Sequence, residues 1–153
     1  MEQSVTTLAK YCEKNLKRYK WAIIIAINGK TLEGVINLAK KLEKKHKGKI
    51  AHVYTENPGK GHGVIAAWSR RRADIYVYMD IDLATDLSAL VPMLKAVEEG
   101  NDIVGGSRYH PLSKIKRSLK RYIISRGYTL LFYRSMLVPS VRDPQCGFKA
   151  VAP

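Results

Sequence analysis

The chain has 153 residues, 46% of them hydrophobic, enough for one domain with a sizeable core. A net charge of +14 and a pI near 9.9 point to an anionic partner: nucleic acid, a membrane surface or a phosphorylated substrate. Two cysteines exclude a disulfide framework and a zinc site, which favours a reducing, cytosolic setting.

From the start, Val5 to Tyr19 reads as a helix with Val5, Leu8, Ala9, Cys12 and Leu16 on one face. The stretch before it, Met1-Glu2-Gln3-Ser4, is polar and acidic, unlike a signal peptide. Trp21 to Ile27 is a continuous apolar run, as expected for a strand buried on both faces of a parallel sheet. Asn28-Gly29 ends it as a turn. Leu32 to His46 is a second helix with a lysine-rich outer face, closed by Gly48. A short strand, Ile50 to Tyr54, precedes a glycine-led helix from Gly61 to Arg72. Ile75 to Met79 reads as a strand, Leu87 to Glu99 as a helix stopped by Gly100, and Asp102 to Gly106 as another strand. Strands alternating with helices at this spacing predict an open α/β sheet with right-handed crossovers, whose ligands bind beyond the strands' C-terminal ends. From Pro111 to Val138 basic residues, among them Arg117, Arg121 and Arg126, are interleaved with aliphatic ones. Such a segment suits an interface with anionic lipid, or an ordinary surface helix with a basic outer face. No apolar run approaches the roughly 20 residues of a membrane span.

Asp80-Ile81-Asp82 follows the strand Ile75 to Met79 directly. If the strand geometry continues, residues two apart project the same way, and the two carboxylates form a hard oxygen site for Mg²⁺ or Mn²⁺. The plainer reading is a solvated turn in which Asp86 or Thr85 caps the next helix.

Four blocks stand in order: Asn57-Pro58-Gly59-Lys60-Gly61, Asp80-Ile81-Asp82, Gly106-Ser107-Arg108-Tyr109, and Asp143-Pro144-Gln145-Cys146-Gly147-Phe148-Lys149. Together they resemble the family 2 glycosyltransferases of the GT-A fold, in the branch that makes polyprenyl- (dolichyl-) phosphate glucose or mannose. The run Arg117-Ser118, Arg121, Ser125-Arg126-Gly127-Tyr128 resembles that branch too. The resemblance implies a sugar moved from a nucleotide-sugar donor, UDP-glucose or GDP-mannose, to a polyprenyl phosphate. It implies that Asp80 and Asp82 hold the metal, and that Asn57, Gly59, Lys60 and Gly61 approach the donor nucleotide. Arg108 would sit by the phosphates or the acceptor, with Arg117, Arg121 and Arg126 on the acceptor side. Gln145, Cys146, Gly147 and Phe148 would close the sugar pocket. Cys146 taken alone is more often a small buried residue than a nucleophile. The expected location is cytoplasmic, peripheral at the membrane face.

The chain departs from the family pattern at both ends. The family opens with a strand ending in a P-x-Y-N-E-like motif, whereas this chain starts at the following helix. The first strand is therefore expected to be missing, from a position between the Trp21 and Ile75 strands, and residues 1–153 form one partial domain. Ile27 stands where the family carries an acid. Two other classes compete: a nucleotidyltransferase-like enzyme, which would need an N-terminal glycine-rich phosphate loop that is not visible, and a non-catalytic basic module for anionic membrane or nucleic acid. No helix-turn-helix spacing or base-stacking aromatic cluster supports nucleic acid.

Overall fold

Apolar runs became strands and amphipathic runs became helices, in the predicted order. The computed structural model describes residues 1–109, 119–136 and 143–153, and within the last helix the side chains of 123–131. The elements are α1 (Glu2–Asn15), β1 (Ile23–Asn28), α2 (Glu33–Lys45), β2 (Ile50–Thr55), α3 (Lys60–Arg70), β3 (Tyr76–Met79), α4 (Leu90–Glu98), β4 (Ile103–Gly105), α5 (Leu119–Met136) and β5 (Phe148–Val151). Boundaries moved where local hydrogen bonds compete with the helix. α1 stops at Asn15, whose side-chain amide donates to the Tyr11 carbonyl, and not at Tyr19. The predicted helix from Leu87 opens as a short 3₁₀ turn, Leu87–Ala89, because the Asp86 carboxylate accepts from the Ser88 amide. Pro92 then falls in the first turn of α4, where no helical N–H is required of it.

β1 and β2 pair in parallel, Ile23 opposite Ile50 and Asn28 opposite Thr55. β5 pairs antiparallel with both β3 and β4, so β3 and β4 run the same way with β5 reversed between them. Among the described residues no backbone hydrogen bond joins β1 to β3, and the strands form a two-stranded and a three-stranded sheet. The strands described thus form two separate sheets and not one continuous sheet. One expectation is corrected by this. β1 is not buried on both faces: Ile25 and Ile27 are buried, whereas Ile24 is half-buried and Ala26 exposed. Every residue of β3 is likewise only half-buried. A strand with one paired neighbour lacks the side-chain cover that a second neighbour supplies.

α1 ties the two sheets together. Val5 and Ala9 pack in a core with Ile25, Ile27, Leu42 and Ile50. One to two turns later Cys12 and Leu16 join a second core with Leu94, Cys146 and Phe148. Phe148 and Leu42 are the largest fully buried side chains, and truncating either to Ala would cost about 2–5 kcal/mol. The helical spacing of apolar residues in the first segment therefore lets one helix serve both cores.

Candidate functional site

β3 delivers Tyr78 and Asp80 to the carboxyl end of the sheet. The two residues lie two apart, so they share a face, and the Tyr78 hydroxyl donates to Asp80 Oδ1 at 2.6 Å. The Asp80 amide donates to the Gly147 carbonyl at 3.1 Å, extending the β3–β5 pairing by one residue. The strand geometry ends there. Leu83 N–H closes a turn onto the Asp80 carbonyl at 3.1 Å, with Leu83 at φ +51°. Asp82 sits inside that turn, exposed, its Oδ1 accepting from the Ala84 amide at 3.1 Å. The expectation that strand alternation sets Asp82 beside Asp80 is therefore corrected: a turn, not a strand, places Asp82. Asp86 caps the following turn, as the plainer reading of this segment had it.

A second segment reaches Asp80 from across the divided sheet. The loop after β2 carries Asn57, Gly59 and Lys60, all exposed, with the Asn57 amide donating to Thr55 Oγ1 at 3.4 Å. Gly59 precedes α3 at φ +105°, a backbone conformation that L side chains rarely adopt, and so directs Lys60 into the first helical turn. Lys60 Nζ lies 3.0 Å from Asp80 Oδ1, on the same oxygen as Tyr78. Gly61 follows in the first turn, exposed and with open space where a Cβ would lie. His62 is tied to the Pro58 carbonyl through Nδ1 at 2.8 Å. Ile27, at the end of β1, is buried in the core and presents nothing to this region.

The third segment is the turn before β5. A Cβ on Gly147 would lie 2.0 Å from Asp80 Oδ2, so only glycine lets the carboxylate occupy this place. Lys149 donates from Nζ to the Cys146 carbonyl and adds its charge to the field at Asp80. Burial alone would raise the Asp80 pKa. The hydrogen bonds from Tyr78 and Lys60, with the charges of Lys60 and Lys149, outweigh it and hold the carboxyl below its ordinary value. Burial pushes the Tyr78 phenol up, and its hydrogen bond to Asp80 adds to this, so the hydroxyl remains a donor. Cys146 is buried and burial raises its thiol pKa, which makes it a packing residue and not a nucleophile. Gln145 is exposed at the tip of the turn.

Arg108 pairs with a carboxylate of the chain itself. Its Nε and Nη2 each lie 2.6 Å from the two carboxylate oxygens of Asp143, and its amide donates to Oδ2 at 3.0 Å. The Asp143 side chain is fully buried. This fork ties the loop after β4 to the start of the Asp143–Lys149 block and raises the Arg108 pKa chiefly through the hydrogen bond to Asp143. Next to it, the Arg126 guanidinium stacks 4.4 Å above the Tyr109 ring, and the Tyr109 hydroxyl meets Ser125 Oγ. α5 thus docks through Ser125 and Thr129, both buried, while Ile123, Ile124, Leu130 and Leu131 face outward. Arg117 lies outside the described residues, as does the side chain of Arg121 within α5.

The chemistry at Asp80 and Asp82 is that of hard oxygen ligands. Among the described residues no three His, Cys, Asp or Glu side chains gather as metal ligands. Carboxylates of this kind suit a small divalent cation that takes most of its ligands from phosphate and water, and they do not make an all-protein cage. Tyr78 was not singled out from the sequence, and Asp143 and Lys149 were quoted in their block without a role of their own. The two-residue spacing of Tyr78 and Asp80 was the available signal for the first. The partner of Arg108, 35 residues away, had none.

A divided α/β sheet with an acid at the end of β3, a glycine-led helix facing it and an antiparallel last strand defines the class. The description Glycosyl transferase family 2 matches residues 2–149, and the chain belongs to that family, which has the GT-A fold. It is 33% identical over 155 residues to glycosyltransferase AglD of Haloferax volcanii, covering 98% of this chain and 24% of that protein. It is 31% identical to dolichyl-phosphate beta-glucosyltransferase ALG5A of Trichomonas vaginalis, covering 97% of this chain and 46% of that one. To the dolichol-phosphate mannosyltransferase of Pyrococcus furiosus it is 27% identical, over 84% of this chain and 37% of that one. The chain spans between 24% and 47% of the length of the curated relatives it matches. Among the described residues no helix is long and apolar enough to cross a membrane.

Proposed function

We propose that this chain carries the donor-binding part of a glycosyltransferase that moves a hexose from UDP-glucose or GDP-mannose to a polyprenyl phosphate. The observation that carries the reading is the convergence on Asp80 of three segments far apart in sequence, through Lys60, Tyr78 and Gly147. The names of the relatives, a dolichyl-phosphate glucosyltransferase and a dolichol-phosphate mannosyltransferase, support the acceptor class.

In this reading Asp80 and Asp82 hold Mg²⁺ or Mn²⁺ through their carboxylates. The ion, when bound, neutralises the charge that develops on the departing nucleotide diphosphate. Lys60 offers a second positive charge beside the same group, and the loop Asn57–Gly61 lets the backbone approach the nucleotide. A phosphate acceptor is already ionised near neutral pH, so its oxygen attacks the anomeric carbon without a general base. Orientation and electrostatics then carry the rate, which agrees with a site of carboxylates and lysines. Arg108 contributes by holding the Asp143–Lys149 segment in place, and Arg126, stacked on Tyr109, lies on the face where an anionic acceptor and anionic headgroups would approach.

The test is thermal. Mn²⁺ with UDP or GDP raises the melting temperature of the wild-type chain, by about 2.7 kcal/mol of stabilisation at a hundredfold excess over the dissociation constant, and Asp82→Ala abolishes the rise. Absence of any shift with either nucleotide at millimolar concentration overturns the donor-site reading.

A further inference from the structure

We infer that Lys60 is a latch on Asp80, occupying the oxygen a divalent cation would use and releasing it only when an anionic diphosphate arrives. The inference deepens the donor-site reading and rests on it for the second half of the exchange. The first half stands on geometry alone. Asp80 Oδ1 is taken twice, by Lys60 Nζ at 3.0 Å and by the Tyr78 hydroxyl at 2.6 Å. Its other oxygen is pressed against Gly147, in the space a Cβ would fill. Lys149 adds a second positive charge nearby.

The charge count follows. Asp80 and Asp82 bring two negative charges, Lys60 and Lys149 two positive ones, and no third acid gathers there among the described residues. A bare divalent cation meets an electrostatically balanced site whose better ligand is engaged, and it must also approach an ammonium. A cation accompanied by a diphosphate meets a different balance. The phosphate oxygens bring their own negative charge and acceptors for the displaced ammonium.

The two lysines are not equivalent in this exchange. Lys149 is half-buried and donates to the Cys146 carbonyl. Lys60 is 77% exposed on the first turn of α3, held by Asp80 and the neighbouring Tyr78 hydroxyl, so it is the one free to move. Tyr78 shares the Asp80 oxygen but carries no charge, and so it acts as a positioning residue that keeps the carboxylate turned toward Lys60.

The experiment is a Mn²⁺ titration followed by the electron paramagnetic resonance signal of the free ion, with and without UDP or GDP. Wild type takes up Mn²⁺ weakly alone and more tightly with the diphosphate. Lys60→Met, an exposed substitution whose folding is checked by circular dichroism, binds Mn²⁺ alone about tenfold more tightly, because the competing ammonium is gone. The same variant binds the diphosphate more weakly. Tyr78→Phe, which leaves the charge in place, gains less than Lys60→Met, and Asp80→Asn added to Lys60→Met removes the gain. If Lys60→Met takes up Mn²⁺ alone no better than wild type, or if the gain survives Asp80→Asn, the latch is overturned whatever the nucleotide result. If the Mn²⁺ gain appears but no form binds UDP or GDP, the latch on the metal side stands and the donor-site reading fails.

Discussion

Arg108→Ala isolates the buried fork between Arg108 and Asp143. The guanidinium is one-quarter exposed, the carboxylate fully buried, and two side-chain contacts of 2.6 Å join them. Removing the arginine takes two charge-assisted hydrogen bonds and their counter-charge from a buried carboxylate, which costs about 3–5 kcal/mol. That is a large part of the roughly 5–15 kcal/mol available to a domain, and it corresponds to a fall in melting temperature of roughly 6–20 °C for a chain of this size. Urea unfolding and thermal melts of Arg108→Ala and Arg108→Lys measure it. The lysine variant falls between, because it keeps a charge but loses the two-pronged geometry. Arg108→Met combined with Asp143→Leu recovers most of the loss, since replacing a buried pair with apolar side chains is often neutral or stabilising. An Arg108→Ala variant within about 1 kcal/mol of wild type would refute the reasoning. If that variant also lost diphosphate binding selectively, Arg108 would belong with the ligand instead of the scaffold.

Gly147→Ala places a methyl group 2.0 Å from Asp80 Oδ2, so the carboxylate must leave its position. The expected outcome is about 1–3 kcal/mol of lost stability, with Mn²⁺-dependent diphosphate binding weakened at least about tenfold. Wild-type values for both would mean that Asp80 turns freely. The outward face of α5, with Ile123, Ile124, Leu130 and Leu131 exposed beside Arg126, should bind anionic but not neutral vesicles in co-sedimentation. High salt should weaken it, at about 1 kcal/mol per basic residue engaged. Ile124→Asp with Leu131→Asp should reduce it, and equal binding to both vesicle types, or to neither, would assign α5 an ordinary surface role.

The order of elements was legible because helices and strands here carry their periods cleanly: the apolar spacing of α1 and the unbroken run of β1 admit few other readings. What that run does not encode is how many neighbours the strand has. Ile24 is as apolar as Ile25 and Ile27, yet only the latter two are buried, in a strand that is paired on one side alone. Helix α5 shows a second limit. Within 123–131 its buried residues are polar, Ser125 and Thr129, with Thr129 Oγ1 donating to the Ser125 carbonyl at 2.9 Å, while Ile123, Ile124, Leu130 and Leu131 are exposed. A rule that sends apolar residues inward reads this stretch in reverse.

The candidate site divides along similar physical lines. Asp80 could be placed from the sequence because strand alternation reaches that far. Asp82 could not, because the turn closed by Leu83 breaks the alternation two residues early. The resemblance put Arg108 by the phosphates or the acceptor, and its spacing of 35 positions from Asp143 does not announce that the two pair. Charge composition also misleads locally. A chain of net charge +14 invites the view that its lysines and arginines wait for anions. At this site Arg108 already has Asp143 and Lys60 already has Asp80. The difference between the two pairs decides what each can do. Opening the fork of Arg108 would take two charge-assisted bonds from a buried carboxylate, so it holds the scaffold. The exposed pair of Lys60 opens at little cost, so of the two it is the cation available to a ligand.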